Sequence, residues 1–507
     1  MGPPRRTGML SRRSVALAGF VFLVGGSRSG AADVQPPVAD KRPYDVVSPQ
    51  GTRNDPYYWL RDDTRSKADV LDYLKAENAY YEAMTAPYKG LAEKLKSELV
   101  GRLKQDDSTV PFKRKDYLYY TRFETGKEYP IHARKPVAGG SEEVLVNANL
   151  EAKGKGYYSV GGRAVSANQE ILAFTEDTAG RRQFALRFRD IKTGKDHEER
   201  IAGVRPGVCW ANDNKTVFYV ENDPATLLST RVKRHVLGTD PKNDVLVYEE
   251  KDKSFYLGIG KTGDDRYVVI VLGSTVSSET WAIDAAEPTG PARVLAPRER
   301  DVRYRADHIG DRWVIRTDWE APNYRLMVVP DGEVGERKRW KALLPYDPHV
   351  FIEHFQIFRD YLVINDRSEG LLRLRIVPWG DPQKAYYIKS DEPAYAEEID
   401  VNAEQDTSVL RYSHTSLATP ESTYEIDMKS GERKLLKRQP VLGGFEQENY
   451  VTERLWAPAR DGRKIPVSLV YRKGLVKDGS APLFQYAYGS YGASTDPTFD
   501  PEVISLL

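Results

Sequence analysis

The residue types that could do chemistry are concentrated near the end of the sequence, in Tyr486-Ala487-Tyr488-Gly489-Ser490-Tyr491-Gly492. A phenol hydroxyl held in a glycine-loosened turn is a donor that can be aimed at developing negative charge. The run before it, from Pro482 to Tyr488, is apolar and aromatic and predicts a short buried strand of an α/β sheet. In such sheets the turn after the strand's carboxyl end is where ligands and catalytic groups gather. Only fifteen residues follow Gly492, too few to complete a sheet. The expectation is a turn that opens a catalytic domain whose larger part lies beyond this sequence.

The groups that would complement such a donor are not in this segment. No Gly-x-Ser-x-Gly nucleophile elbow occurs, and no histidine follows His414. A serine hydrolase needs Ser, His and an orienting acid in contact, so these residues alone are expected to catalyse nothing. The seven histidines (132, 197, 235, 308, 349, 354 and 414) are scattered, and even the neighbours His349 and His354 lack carboxylates at ligand spacing. No metal or other cofactor is expected. Cys209, the only cysteine, excludes an internal disulfide and reads as a buried, inert thiol. Gly258-Ile259-Gly260-Lys261-Thr262-Gly263 matches the dinucleotide fingerprint by letter. A strand pattern follows it where a helix is required, so it reads as a turn between strands.

The elements that must position the tyrosine turn fall into four stretches. Residues 1–32 combine Arg5, Arg6, Arg12 and Arg13 with an apolar run from Val15 to Val24 and small residues through Ala31-Ala32. That order predicts a cleaved export signal, with Ser11-Arg12-Arg13 similar to the twin-arginine type, and a periplasmic or secreted protein; a cytoplasmic one is the alternative. The run is too short to span a bilayer, so the mature chain is expected to carry no integral membrane segment. Residues 33–106 contain Asp55-Pro56-Tyr57-Tyr58-Trp59-Leu60-Arg61-Asp62-Asp63. Two helical patterns follow, Val70-Leu71-Leu74-Tyr81, capped by Asp63 or Thr64, and Leu91-Leu95-Leu99-Leu103.

Residues 107–440 switch to short alternating runs. Leu118, Ala173, Val217, Val268, Val314, Leu362 and Val409 each begin one, at intervals of roughly 45 to 55 residues. Most follow a polar turn and precede a second alternating strand. Seven such units predict a seven-bladed β-propeller with four strands per blade; a two-sheet sandwich would show no recurrence at this period. In residues 441–507, Glu448–Pro458 and Lys464–Tyr471 predict a hairpin about the turn Ala459-Arg460-Asp461-Gly462, ahead of the tyrosine stretch. Lys plus Arg (75) balances Asp plus Glu (74), so no one-signed field argues for nucleic acid.

With these motifs in hand, the sequence resembles the prolyl oligopeptidase family of serine peptidases, most closely its oligopeptidase B branch. The likeness runs from about Arg42 to the last residue. It is carried by Asp55–Asp63, Gly126-Lys127-Glu128-Tyr129-Pro130, Glu176-Asp177-Thr178-Ala179-Gly180-Arg181-Arg182-Gln183, Asp461–Tyr471 and Tyr486–Gly492. The resemblance implies a β-rich multidomain chain, a seven-bladed propeller inserted into an α/β-hydrolase domain of which only the N-terminal helices and first strands are present. It implies cleavage of short peptides, after Arg or Lys in this branch and after Pro in the sister branch, with the propeller restricting access. A non-catalytic peptide- or protein-binding propeller is the reading from another class. By the resemblance Tyr488 is the second oxyanion donor, while Ala487 departs from the family's usual glycine. Asp177, Arg181 and Arg182 are either a latch between propeller and hydrolase or a solvated blade loop.

Overall fold

The computed structural model describes residues 34–507; the expected export signal lies outside them. The described residues divide into two compact units, one of Lys104–Asp500 with Leu507 and one of the residues up to Leu103 with Pro501–Leu506.

The larger unit holds seven four-stranded antiparallel blades. Blade 1 spans Phe112 to Asn147, blade 4 Tyr256 to Ala296, blade 5 Tyr304 to Ala342, and blade 7 Tyr395 to Arg438. Blade 6 runs from Phe351 to Tyr387, and its strand pairing with blade 7 is a single parallel bridge, Leu372 to Ala396. Blades 2 and 3 share one fifteen-residue strand, Asp196–Trp210. Its first half pairs with Phe184–Asp190 and its second half with Thr216–Asn222. Gly203 at φ +71 sits at the handover, where the pairing register breaks on both sides.

The recurring apolar runs of the sequence are the second strands of the blades. Leu172–Phe174, Val217–Tyr219, Val268–Ile270, Val314–Ile315 and Leu362–Ile364 are all buried, because both faces of a blade are covered by its neighbours. The core accordingly lies between blades. Cys209, Phe218, Val220 and Val232 of blade 3 pack on Leu257, Ile270 and Ile283 of blade 4, and comparable clusters join blades 1 and 2, 2 and 3, 4 and 5, 5 and 6, and 6 and 7. Among the described residues no such apolar cluster joins blade 7 to blade 1. That seam is closed by polar contacts: Lys437 to Asp107 at 2.6 Å, Lys113 to Glu404 at 3.2 Å, and Arg411 Nη1 donating to the Pro111 carbonyl at 2.8 Å.

In the smaller unit, α1 (Ala68–Thr85) and α2 (Lys89–Gly101) stand where the helical spacing puts them. The cap differs from expectation. Lys67 is the N-cap and makes no capping bond, while Asp62, rather than Asp63 or Thr64, accepts the amides of Thr64, Ser66 and Lys67. Its carboxylate can reach several free amides of the turn at once, which a residue nearer the helix cannot do without unwinding it. The two stretches of this unit meet at the end of α2, where Arg102 donates to the Pro501 carbonyl at 3.1 Å and to Ser505 Oγ at 2.6 Å.

Candidate active-site turn

The hairpin Tyr450–Pro458/Lys464–Arg472 pairs in unbroken register over nine residues. It is seated on blade 6, where Arg454 Nη2 donates to the Glu369 carbonyl at 2.9 Å. The neighbouring Gly370 has φ +74, and a Cβ there would come within 2.9 Å of Pro466, so glycine is what allows the hairpin to approach. Downstream of the tyrosine turn, Asp496 forms a two-pronged ion pair with Arg367 of blade 6 at 2.5 and 3.2 Å. The Phe499 amide donates to Thr415 Oγ1 of blade 7 at 3.0 Å, and Phe499 meets Phe445 edge-on. The turn is thus held between two anchored points, Lys464–Arg472 and Asp496–Phe499.

Between those anchors the expected buried strand is absent. Residues 482–489 have no regular secondary structure, and Leu483, Phe484, Tyr486 and Tyr488 are exposed. A strand exists only through a ladder, and the preceding hairpin pairs with nothing but itself. With no neighbouring strand, the apolar side chains have no face to cover. Tyr488 is 51% exposed, and its hydroxyl has no hydrogen-bond partner among the described residues. The turn itself is sharply defined: Tyr491 at φ 58 and Gly492 at φ +65 lie in the left-handed region, and the Ala493 amide donates to the Ser490 carbonyl at 3.0 Å. A non-glycine residue held there is a strained position of the kind that clusters at functional sites.

The other candidate groups take structural places. Cys209 is buried against the Gly260 carbonyl, and burial pushes its thiol up to about 12. Gly258–Lys261 lies inside the strand Tyr256–Lys261, with another strand, Tyr267–Gly273, next. Asp177 accepts the amides of Ala179, Gly180 and Arg182 at 2.8 to 3.0 Å and so ties down its own loop. Among the histidines of the blade strands, His132, His235, His308 and His414 hydrogen-bond other side chains. His132 lies between Thr121 and Arg163, and burial drives its pKa well below the ordinary imidazole range. His235 pairs with Asp244 at 2.7 Å, His308 bridges Asp264 and Asp331, and His414 bridges Glu392 and Glu397. Histidine–carboxylate contacts across strands leave no signal in the sequence, because the partners lie 9 to 44 residues apart.

Seven blades with a shared strand, flanked by a helical segment and an outgoing hairpin, define the class of seven-bladed β-propeller proteins. A family profile described as the N-terminal beta-propeller domain of prolyl oligopeptidase matches residues 36–439, and the chain belongs to that S9 family of serine peptidases. It is 48% identical over 496 residues to a dipeptidyl aminopeptidase BI of Pseudoxanthomonas mexicana, covering 94% of this chain and 68% of the relative. It is 30% identical to protease 2 of Moraxella lacunata, covering 93% of this chain and 68% of the relative. Oligopeptidase B from Leishmania major superposes with a TM-score of 0.87 at 29% identity, over 93% of this chain and 70% of that one.

Proposed function

We propose that these residues serve a serine oligopeptidase that cuts short peptides after Arg or Lys, with the propeller limiting what reaches the catalytic groups. The observation that carries this reading is Tyr488, an exposed phenol in a strained turn anchored at both ends to the propeller. In it Tyr488 donates to the oxyanion of the tetrahedral intermediate, where one such donor is worth about 3 kcal/mol. The Ser, Asp and His of the triad lie outside these 507 residues. Short peptides are the partners the reading requires, and it routes the mature protein out of the cytoplasm through the basic and apolar stretch at residues 5–24.

A second reading, release of dipeptides from free N-termini, is favoured by the 48% identity to a protein named as a dipeptidyl aminopeptidase. A reporter with Arg at the scissile bond and a blocked N-terminus separates the two, since only an endopeptidase turns it over. The 507-residue chain by itself should hydrolyse this reporter neither blocked nor with a free N-terminus. Coding DNA past codon 507 should continue in frame to a Gly-x-Ser-x-Gly motif, then an Asp and a His. A stop codon there would sink the peptidase reading and leave a peptide-binding propeller.

A further inference from the structure

His414 has contacts that lead out of the propeller. It sits in the second strand of blade 7, Val409–Ser416, with its ring stacked on Tyr395 at 5.7 Å and edge-on to Tyr424. Nδ1 faces Glu397 Oε1 at 3.4 Å and Nε2 faces Glu392 Oε1 at 3.3 Å. Two carboxylates on opposite ring nitrogens can both be satisfied only by the imidazolium, which donates from each. The other charged groups bearing on the site are Arg433, from the last strand of blade 7, and Arg373, from blade 6. Both are committed elsewhere: Arg433 donates to the Lys389 carbonyl at 2.8 Å, and Arg373 bonds Ser368 and covers the Tyr387 ring. The second oxygen of Glu397 is buried without a partner.

From this centre a chain of hydrogen bonds reaches two segments outside the blade. Thr419 Oγ1 donates to Glu392 Oε1 at 2.6 Å and accepts from Gln447 Nε2 at 2.7 Å. Gln447 belongs to the linker by which the chain leaves blade 7. Thr415 Oγ1 donates to the Thr419 carbonyl at 3.1 Å and accepts the Phe499 amide at 3.0 Å. Phe445 of the linker then packs between Tyr450 and Phe499, with ring centres 5.4 and 5.1 Å away. One turn, Thr415 to Thr419, therefore holds both the linker and the end of the tyrosine segment; Ser416 closes it from within at 2.9 Å to the Thr419 amide, and Glu392 ties it to the histidine through Thr419 Oγ1.

We propose that His414, Glu392 and Glu397 form a proton-operated clamp that pins residues 440–449 and the Phe499 segment to blade 7. In the charged state the imidazolium holds Glu392 against Thr419. When it gives its proton to solvent, two carboxylates face one another across a neutral ring, Glu392 moves away and the turn loses its acceptor. The carboxylates raise the His414 pKa to about 9 despite burial. The sign follows: the clamp is fully formed below the free imidazole value, weakens as pH rises through about 9 and is released above it.

Hydrogen exchange of the 507-residue chain, corrected for the intrinsic rate, tests this at about pH 7 and about pH 10. Peptides covering 440–449 and 495–500 should lose about tenfold in protection across that interval while blades 3 to 5 stay protected. His414→Gln, which carries no proton to lose, should give the low protection at both pH values. Thr419→Val leaves the charged cluster intact and should also lower protection in 440–449 at both. Equal loss in every blade, no loss in the wild type, or a wild-type pH response retained in His414→Gln or Thr419→Val would each overturn the clamp.

Discussion

Asp107 and Lys437 form an ion pair between residues 330 positions apart, with Nζ 2.6 and 2.7 Å from the two carboxylate oxygens. They stand at the two ends of the propeller, one just before blade 1 and the other in the last strand of blade 7. Every other neighbouring pair of blades shares a buried apolar cluster. A ring closed by apolar packing at six joints and by charge at the seventh has one joint of a different physical kind. That joint has no apolar cluster behind its charges, so salt and single-charge removal bear on it most directly.

Lys437→Met should therefore cost about 2 kcal/mol, because the nearly buried Asp107 keeps its charge and loses its cationic partner, with only the Gln439 side-chain amide left on it among the described residues. Adding Asp107→Asn should recover part of that loss. Denaturant unfolding of the two single variants and the double variant measures the coupling. A coupling near zero would mean that Arg411 and Glu404 hold the seam without it.

Tyr488→Phe, placed in a protein that carries the triad, should lower kcat by about a hundredfold or more with KM nearly unchanged. The lost donor acts on the oxyanion and not on the bound peptide. A rise in KM at constant kcat would make Tyr488 a binding residue instead.

Asp307 gives a pH signature distinct from that of His414. Burial pushes its carboxyl up to about 6, against the amides of Gly263 and His308 that favour the charged form. A raised carboxyl pKa means the folded chain binds the proton more tightly than the unfolded one between the ordinary value and about 6. Stability should fall as pH rises through that window. Asp307→Asn should flatten the slope in melting temperature against pH there, and an unchanged slope would assign it to other groups.

Gly162 tests how tightly blades 2 and 3 meet. A Cβ at this position would come 1.7 Å from the Pro206 carbonyl oxygen, which is backbone and cannot swing aside. Gly162→Ala should destabilise the chain by about 2 kcal/mol, whereas Gly194→Ala, in an open turn, should act only through its φ. Paired thermal melts of the two variants provide the check.

The sequence by itself determined the repeating architecture, because the second strand of each blade is buried on both faces and must be apolar along its length. Val217, Val268, Val314 and Leu362 announce themselves at nearly even spacing for that reason. It also determined the two helices, the hairpin and the place of the turn after Tyr488, all of which rest on local periodicity or on turn residues. Only the tertiary structure decided what depends on distant partners. The stretch from Pro482 to Tyr488 has a strand's composition and is not a strand, since a ladder requires a neighbour that composition cannot supply. Asp62 replaced its neighbours as the helix anchor because reach across a turn, not adjacency, sets which amides a carboxylate meets. His414 looked like one of seven scattered histidines until two strands and a loop brought Glu392 and Glu397 to opposite sides of its ring. Contacts between charges far apart in sequence are fixed by how the blades close, and that closure is a property of the whole ring.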